Sequence, residues 1–207
     1  MWYISDKQRE KEVDNMAGKT LNDRTKRLIA DAFEETLERS EKRVEKVTVT
    51  EICQRAGVNR KTFYYHFKDI RDLADWTFRE CGREIAQNSN YVEHPSESIE
   101  YFVRYVLQHR VLYRELANYF GIETLKQMGF SDQSIFVLPE TFRTVSAAGH
   151  EGQENYRFFS ATFFSEAICD VLYHKITQGS SFDEDQLIDY AKCIWQAISV
   201  SVLEMET

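Results

Sequence analysis

The chain has 207 residues and a formal net charge of −8, with 43% hydrophobic and 29% charged residues, which is an ordinary globular composition. No apolar run approaches the roughly 18 residues that a membrane span needs, and the first residues lack the apolar core of a signal peptide, so we expect neither feature. Because only 8 Gly and 2 Pro interrupt the chain, an all-helical fold is favoured.

The first predicted helix spans about residues 21–40, where Leu28, Phe33 and Leu37 fall on one helical face. Residues 1–19 precede it as a mostly polar N-terminal extension. Like charges spaced four residues apart in this extension argue against a stable isolated helix. We therefore expect residues 1–15 to be mobile in solution unless Trp2, Tyr3 and Ile4 dock on the body of the protein or on a neighbouring chain.

Two short helices follow, joined by a glycine turn. Thr48 and Glu51 fit the S/T-x-x-E capping box at a helix start. Gly57 can adopt the left-handed conformation that ends a helix, and Asn59 is a good N-cap for a third helix over about residues 60–67. Two short helices with this turn predict a helix-turn-helix.

The third helix separates its residues by face. Phe63 and Phe67 are four residues apart and point inward together, while cations, hydroxyl groups and an imidazole cover the rest. Arg60 or Lys61, near the start of the helix, could reach guanine in a major groove. Residues 52–68 contain no carboxylate, although the chain as a whole is acidic. The alternative is a solvated amphipathic helix that happens to be basic.

The segment "VTVTEICQRAGVNRKTFYYHFKDIRDL" resembles the DNA-binding signature of TetR-family transcriptional regulators, and the resemblance covers about residues 21–75. It implies a three-helix DNA-binding domain over residues 20–70. It also implies a helical ligand-binding and dimerisation domain over residues 71–207. The shorter segment "TFYYHFKDIRDLADWTF" resembles a branch of the family that contains activators of dihydroxyacetone kinase operons, whereas most of the family represses.

The resemblance also assigns roles to single residues. The residues that fall where family members read bases are Thr50, Arg60, Lys61 and Tyr64. The residues that fall where members hold phosphates are Thr48, Thr62, Tyr65 and His66. The family commonly has a phosphate-contacting lysine at the start of the fourth helix, where this chain has Ile70. Lys68 or Arg71 could supply that contact, or it could be absent.

Further helices are predicted towards the C-terminus, over about 96–109, 110–119, 133–147, 152–178 and 183–204. The stretch 156–176 is apolar on more than one face, so it is either the centre of the domain or a surface for a second copy. The resemblance implies that the last two helices form a four-helix bundle across a two-fold axis. The residues expected in this dimer interface are Phe159, Phe163, Ile194 and Ile198.

Aromatic residues are dense in the middle of the chain. The candidates for an effector-binding cavity are Phe102, Tyr105, Tyr113, Tyr119, Phe120 and Phe142. Tyrosine hydroxyls would supply polar contacts in such a cavity. Plain core packing explains the same residues equally well, and both interpretations stay open.

The four cysteines are widely spaced, which favours a reduced, cytoplasmic compartment and argues against a zinc site. We find no nucleophile–base pairing, glycine-rich phosphate loop or metal-ligand spacing, so neither an enzyme nor a cofactor is expected. The sequence instead predicts a sequence-specific transcriptional regulator. We expect a homodimeric repressor that binds an operator in double-stranded DNA and responds to a small-molecule effector. The alternative is an activator or co-regulator that acts through a protein partner.

Overall fold

All regular secondary structure that the computed structural model describes is helical, and the predicted all-α fold is confirmed. The described residues are 6–40, 42–90, 93–131, 151–178 and 183–204. The elements in chain order are α1 (Asp6–Ser40), a 3-10 helix (Val44–Lys46), α2 (Val49–Ala56), α3 (Arg60–His66), α4 (Ile70–Gln87), α5 (Pro95–Gln108), α6 (Arg110–Phe120), α7 (Ile122–Ser131), α8 (Glu151–Gln178) and α9 (Glu184–Glu204). None of the helices searched in this part of the chain is long and apolar enough to cross a membrane.

The chain divides into two compact units, residues 1–75 and 76–207. The division falls inside α4. The domain boundary predicted from sequence, between residues 70 and 71, lies at the start of the same helix and stays a prediction.

In the first unit, α1 packs on both α2 and α3. Ile29 and Phe33 of α1, Ile52 of α2 and Phe63 of α3 are completely buried. Burying one side chain of this size contributes about 1.5–3 kcal/mol relative to leaving it exposed. The helical stripe predicted within residues 21–40 is confirmed for Phe33 and Leu37, which lie in the core. The prediction was wrong for Leu28, which is 48% exposed.

The start of α1 differs from the prediction. The helix begins at Asp6 and not near residue 21. Repulsion between like charges would destabilise this segment as an isolated helix, but here the segment continues a helix that is already formed. Its extension therefore avoids the cost of nucleation. The mobility expected for residues 1–15 stays a prediction.

In the second unit, a core cluster joins α5, α8 and α9. Its members are Ile99, Val103, Val106, Leu107, Phe164, Ile168, Leu172, Leu187, Ile188, Ala191 and Trp195. The rings of Phe164 and Trp195 meet edge to face, with centroids 5.4 Å apart. This packing joins one face of α8 to one face of α9. The remaining faces of the two helices lie outside this core cluster.

Most of the predicted C-terminal helices lie within about a residue of the observed ones. Helix α7, over residues 122–131, was not predicted, because one glycine lies just before it and another lies near its end. Gly121 ends α6 with a φ of +85°, and Gly129 lies near the end of α7. The helix predicted over 133–147 lies outside the described residues.

Candidate nucleic-acid interface

Helix α3 is anchored to the first unit through its phenylalanines. Phe63 is completely buried, Phe67 is almost so, and their ring centroids lie 5.9 Å apart. These contacts fix the orientation of α3 about its own axis. The opposite face therefore stays directed towards solvent.

The start of α3 is set by Asn59. The Asn59 side-chain oxygen accepts hydrogen bonds from the Thr62 backbone N–H at 2.8 Å and from the Thr62 hydroxyl at 3.2 Å. Gly57, with a φ of +66°, ends the preceding helix in the left-handed region. The predicted N-cap and glycine turn are confirmed, and together they position the first turn of α3.

Most predicted base and phosphate contacts lie on the exposed face of α3 and beside it. The exposed members are Thr48, Thr50, Arg60, Lys61, Tyr64, Tyr65 and Lys68, while Thr62 and His66 are half-buried. Tyr65 is 80% exposed and Tyr64 is 50% exposed. The structure thus brings the predicted residues together, while their individual roles stay predictions.

Thr48 already has a structural role. Its hydroxyl accepts a hydrogen bond from the Glu51 backbone N–H and donates one to a Glu51 carboxylate oxygen at 2.8 Å. Glu51 in turn is held by the Lys42 ammonium. A phosphate contact through the Thr48 hydroxyl would therefore have to replace part of the capping box, and a role in positioning α2 is the simpler one.

Among the predicted DNA contacts, His66 is the one whose charged form is disfavoured by its surroundings. Its ring meets that of Tyr65 edge to face at 4.9 Å, and its Nδ1 is buried with no hydrogen-bond partner among the described residues. Burial lowers the pKa of His66, and the nearby Lys26 lowers it further. The imidazole is therefore neutral at pH 7, so His66 could offer phosphate an N–H donor but not a charge.

The junction between α3 and α4 is organised by carboxylates. Asp72 accepts a hydrogen bond from the Lys68 backbone N–H at 2.9 Å. Asp69 accepts one from the Asp72 backbone N–H at 2.8 Å, so its side chain caps the start of α4. The first of these bonds uses the backbone of Lys68, and the Lys68 side chain stays exposed.

The second unit contains a small apolar cavity of about 70 Å³. Its lining residues come from α4 to α8 and are Phe78, Ile85, Phe102, Val106, Tyr113, Ala117, Ile122, Leu125, Lys126, Cys169, Leu172, Tyr173 and Ile176. Ligand pockets are usually about 300–1,000 Å³. A ligand here would therefore be small or would displace side chains.

Of the predicted effector-binding residues that the structure describes, two line this cavity, Phe102 and Tyr113. Tyr105 is buried elsewhere and donates a hydrogen bond from its hydroxyl to Glu84 at 3.1 Å. Burial raises the pKa of Tyr105, so the phenol stays neutral and keeps this donor. Tyr119 and Phe120 pack on each other with ring centroids 4.9 Å apart, away from the cavity lining. Phe142 lies outside the described residues.

Sequence reasoning missed Lys126, the charged member of the cavity lining. Its ammonium pairs with Asp170 and lies 3.6 Å from Glu123. Burial opposes the charged form, but the hydrogen bond to Asp170 and the nearby charges of Asp170 and Glu123 together outweigh it, so the pKa of Lys126 is raised. No local pattern around Lys126 indicates this burial, because its partner Asp170 is on α8.

Two of the four residues predicted for the dimer interface, Phe163 and Ile194, line an exposed apolar groove along α8 and α9. Phe163 is 62% exposed and Ile194 is 54% exposed, and Tyr190 and Val171 are exposed beside them. Phe159 and Ile198 belong to the same two helices, but their side chains lie outside the described part of the chain. Isolated exposed apolar residues are ordinary, whereas a continuous group of this kind marks an interaction surface.

Comparison with known proteins agrees with this geometry. Residues 40–75 match the family of bacterial regulatory proteins called the tetR family. The HTH-type dhaKLM operon transcriptional activator DhaS of Lactococcus lactis subsp. lactis (strain IL1403) is 24% identical over 162 residues, which is 77% of this chain and 83% of that protein. A solved structure of a dihydroxyacetone kinase operon activator DhaS superposes with a TM-score of 0.59 at 19% identity. It covers 86% of this chain and 96% of that one. The resemblance that the sequence carries is thereby confirmed.

Proposed function

We propose that this protein, a DNA-binding transcriptional regulator of the tetR family, binds a two-fold symmetric operator as a cytoplasmic homodimer and places α3 of each copy in a major groove. The observation that carries this proposal is the division of α3 into two faces. Phe63 and Phe67 fix the helix in the core. The opposite face presents cations and hydroxyl groups in a stretch without carboxylates.

The charge distribution supports a single DNA-binding surface. The chain carries a net charge of −8, and most of the excess carboxylates follow residue 72. An acidic body repels a polyanion over most of its surface and leaves the α3 region as the place where phosphates meet cations. Such a protein would bind DNA in one orientation.

A homodimer is supported by the exposed groove on α8 and α9. Phe163 and Ile194 would be removed from water if the same groove of a second copy packed against them. A two-fold dimer also presents two copies of α3, which suits half-sites about 34–36 Å apart. A second copy is therefore the occupant that fits both the groove and the DNA.

The direction of regulation separates two candidate functions. The first candidate is a repressor that responds to a small-molecule effector, as most of the family that the sequence resembles represses. Both relatives reported above are named as activators, which favours activation of a target operon by this chain as well. The small size of the cavity does not favour a large effector. A promoter fusion assayed with and without this gene distinguishes the two functions, because activation lowers expression in the deletion strain and repression raises it.

DNA binding itself is tested by footprinting on the DNA upstream of the gene. We expect protection of two half-sites and an affinity that falls steeply as salt rises. A Lys61→Glu variant, which places a carboxylate on the exposed face of α3, should lose the footprint while keeping its helical content. An unchanged footprint from that variant would show that α3 does not meet the DNA.

A further inference from the structure

We propose that Tyr64 is a positioning residue for Arg60. Its hydroxyl holds the Arg60 guanidinium in the orientation from which it reads a guanine. This inference rests on the proposed function, and it makes Tyr64 act through Arg60 and not as an independent base reader.

The two side chains meet on the exposed face of α3. Arg60 and Tyr64 are four residues apart, so they lie one above the other on the helix. The Arg60 Nη2 donates a hydrogen bond to the Tyr64 hydroxyl oxygen at 3.3 Å. The Arg60 Cζ lies 5.9 Å from the centroid of the same ring, within the range of a cation–π contact. One tyrosine thus holds the guanidinium through both its hydroxyl and its ring.

The Tyr64 ring can serve as a support because it is itself held. It meets the ring of Phe63 edge to face, with centroids 5.5 Å apart and an interplanar angle of 86°. Phe63 is completely buried in the core of the first unit. A continuous series of contacts therefore runs from the core through Phe63 and Tyr64 to the Arg60 guanidinium.

The chemistry of the pair suits recognition of guanine. A guanidinium has five N–H donors, and the bond to Tyr64 uses one of them, so enough remain for the bidentate contact to O6 and N7. The acceptor is a neutral phenol, and the chain has no carboxylate between residues 52 and 68. Arg60 is therefore oriented without losing its charge, which a carboxylate partner in the same place would neutralise.

Orienting Arg60 before binding should increase both affinity and selectivity. A free arginine side chain loses much of its rotamer freedom when it forms a bidentate contact. A guanidinium that Tyr64 already restrains loses less, and it approaches the base with its planar edge directed in advance. Removal of the Tyr64 hydroxyl alone should reduce the preference for guanine although no DNA contact is deleted.

The test is a double-mutant cycle read out by base preference. Wild type, Tyr64→Phe, Arg60→Ala and the double variant are each used to select bound sequences from a pool of random DNA duplexes. The affinity for the consensus and for its single-base variants is then measured. Tyr65→Phe is the matched control, because it removes the same hydroxyl from the neighbouring tyrosine, which is 80% exposed.

We expect Arg60→Ala to reduce discrimination at one base pair by about five- to 150-fold. Tyr64→Phe should reduce discrimination at the same base pair by about three- to tenfold. In the double variant, Tyr64→Phe should add nothing to the loss from Arg60→Ala. Tyr65→Phe should leave the base preference unchanged.

Three results would overturn the inference. Tyr64→Phe could alter a different base pair, its loss could persist in full when Arg60 is absent, or it could have no effect on discrimination. The first two results would make Tyr64 a DNA contact in its own right. In each case wild-type binding still stands, so the failure is distinct from failure of the proposed function, in which the wild-type protein would select no sequence. Equal thermal unfolding of wild type and Tyr64→Phe establishes that the fold is intact.

Discussion

The backbone N–H of Thr48 donates a hydrogen bond to the Glu51 carboxylate at 3.0 Å, while the Thr48 hydroxyl accepts one from the Glu51 backbone N–H at 3.3 Å. This reciprocal pair closes the start of α2. Since α2 carries α3 through the Gly57 turn, the pair also positions the proposed DNA-binding helix. The phosphate contact expected of Thr48 stays a prediction, while the hydrogen bonds that its hydroxyl forms lie within the chain.

Replacing Thr48 therefore tests stability before it tests DNA binding. We expect Thr48→Ala to reduce the free energy of unfolding by about 1 kcal/mol, because one backbone donor at the helix start loses its partner. Thr48→Ser, which retains the hydroxyl, should restore most of that loss. Urea unfolding followed by circular dichroism measures both variants, and an unchanged midpoint for Thr48→Ala would contradict the capping role.

The same pair predicts a dependence of stability on pH. The hydrogen bond from Lys42, followed by those from Thr48, lowers the pKa of Glu51 to about 2 in the folded chain, compared with 4.5 for an ordinary glutamate. Because the folded pKa is the lower one, the contribution is fully present above about pH 4.5 and is lost as the pH falls towards 2.

The measurement is the difference in unfolding free energy between wild type and Glu51→Gln as a function of pH. The difference should be constant from pH 5 to pH 7 and should shrink below pH 4.5. A difference that does not change between pH 5 and pH 3 would show that Glu51 does not titrate in this way.

Tyr65 should contribute to DNA binding without reading sequence. Its hydroxyl lies on a side chain that is 80% exposed on the same face as the cations of α3. If that hydroxyl meets a phosphate, Tyr65→Phe should weaken binding by about 1 kcal/mol on cognate and random duplexes alike. Fluorescence anisotropy with both duplexes measures this, and a loss confined to the cognate duplex would assign Tyr65 to base recognition.

The features best predicted from the sequence are those that depend on contacts between residues close together along the chain. The capping box at Thr48, the left-handed Gly57 and the Asn59 cap each depend on contacts within a few residues, so local patterns identify them. The cavity depends on five helices that meet in three dimensions. Phe102 lines it and Tyr105 does not, although they are three residues apart on one helix. No local pattern distinguishes an aromatic residue that lines the cavity from one that does not. The place of Lys126 in the cavity lining could not be predicted for the same reason.

The dimer is tested by placing charge in the exposed groove. We expect the Phe163→Glu, Ile194→Glu double variant to be a folded monomer, because both side chains are more than half exposed in a single copy and a like charge on each copy would oppose association. Sedimentation at micromolar concentration measures the mass. Asp189→Glu, an exposed charge-preserving change on α9, is the control and should leave the dimer intact. Dimers formed by the double variant would show that the interface lies elsewhere.

The central claim, that α3 reads DNA, is tested most directly by quantitative footprinting. Wild type and Arg60→Ala are compared on the DNA upstream of the gene and on random duplexes, over a range of salt concentrations. We expect wild type to protect two half-sites about one helical turn apart, with affinity that falls as salt rises. Arg60→Ala should lose about 1–3 kcal/mol on the cognate sequence and should relax the preference at one base pair. Equal losses for Arg60→Ala on cognate and random DNA, or a wild-type protein that protects no site, would show that α3 does not read DNA.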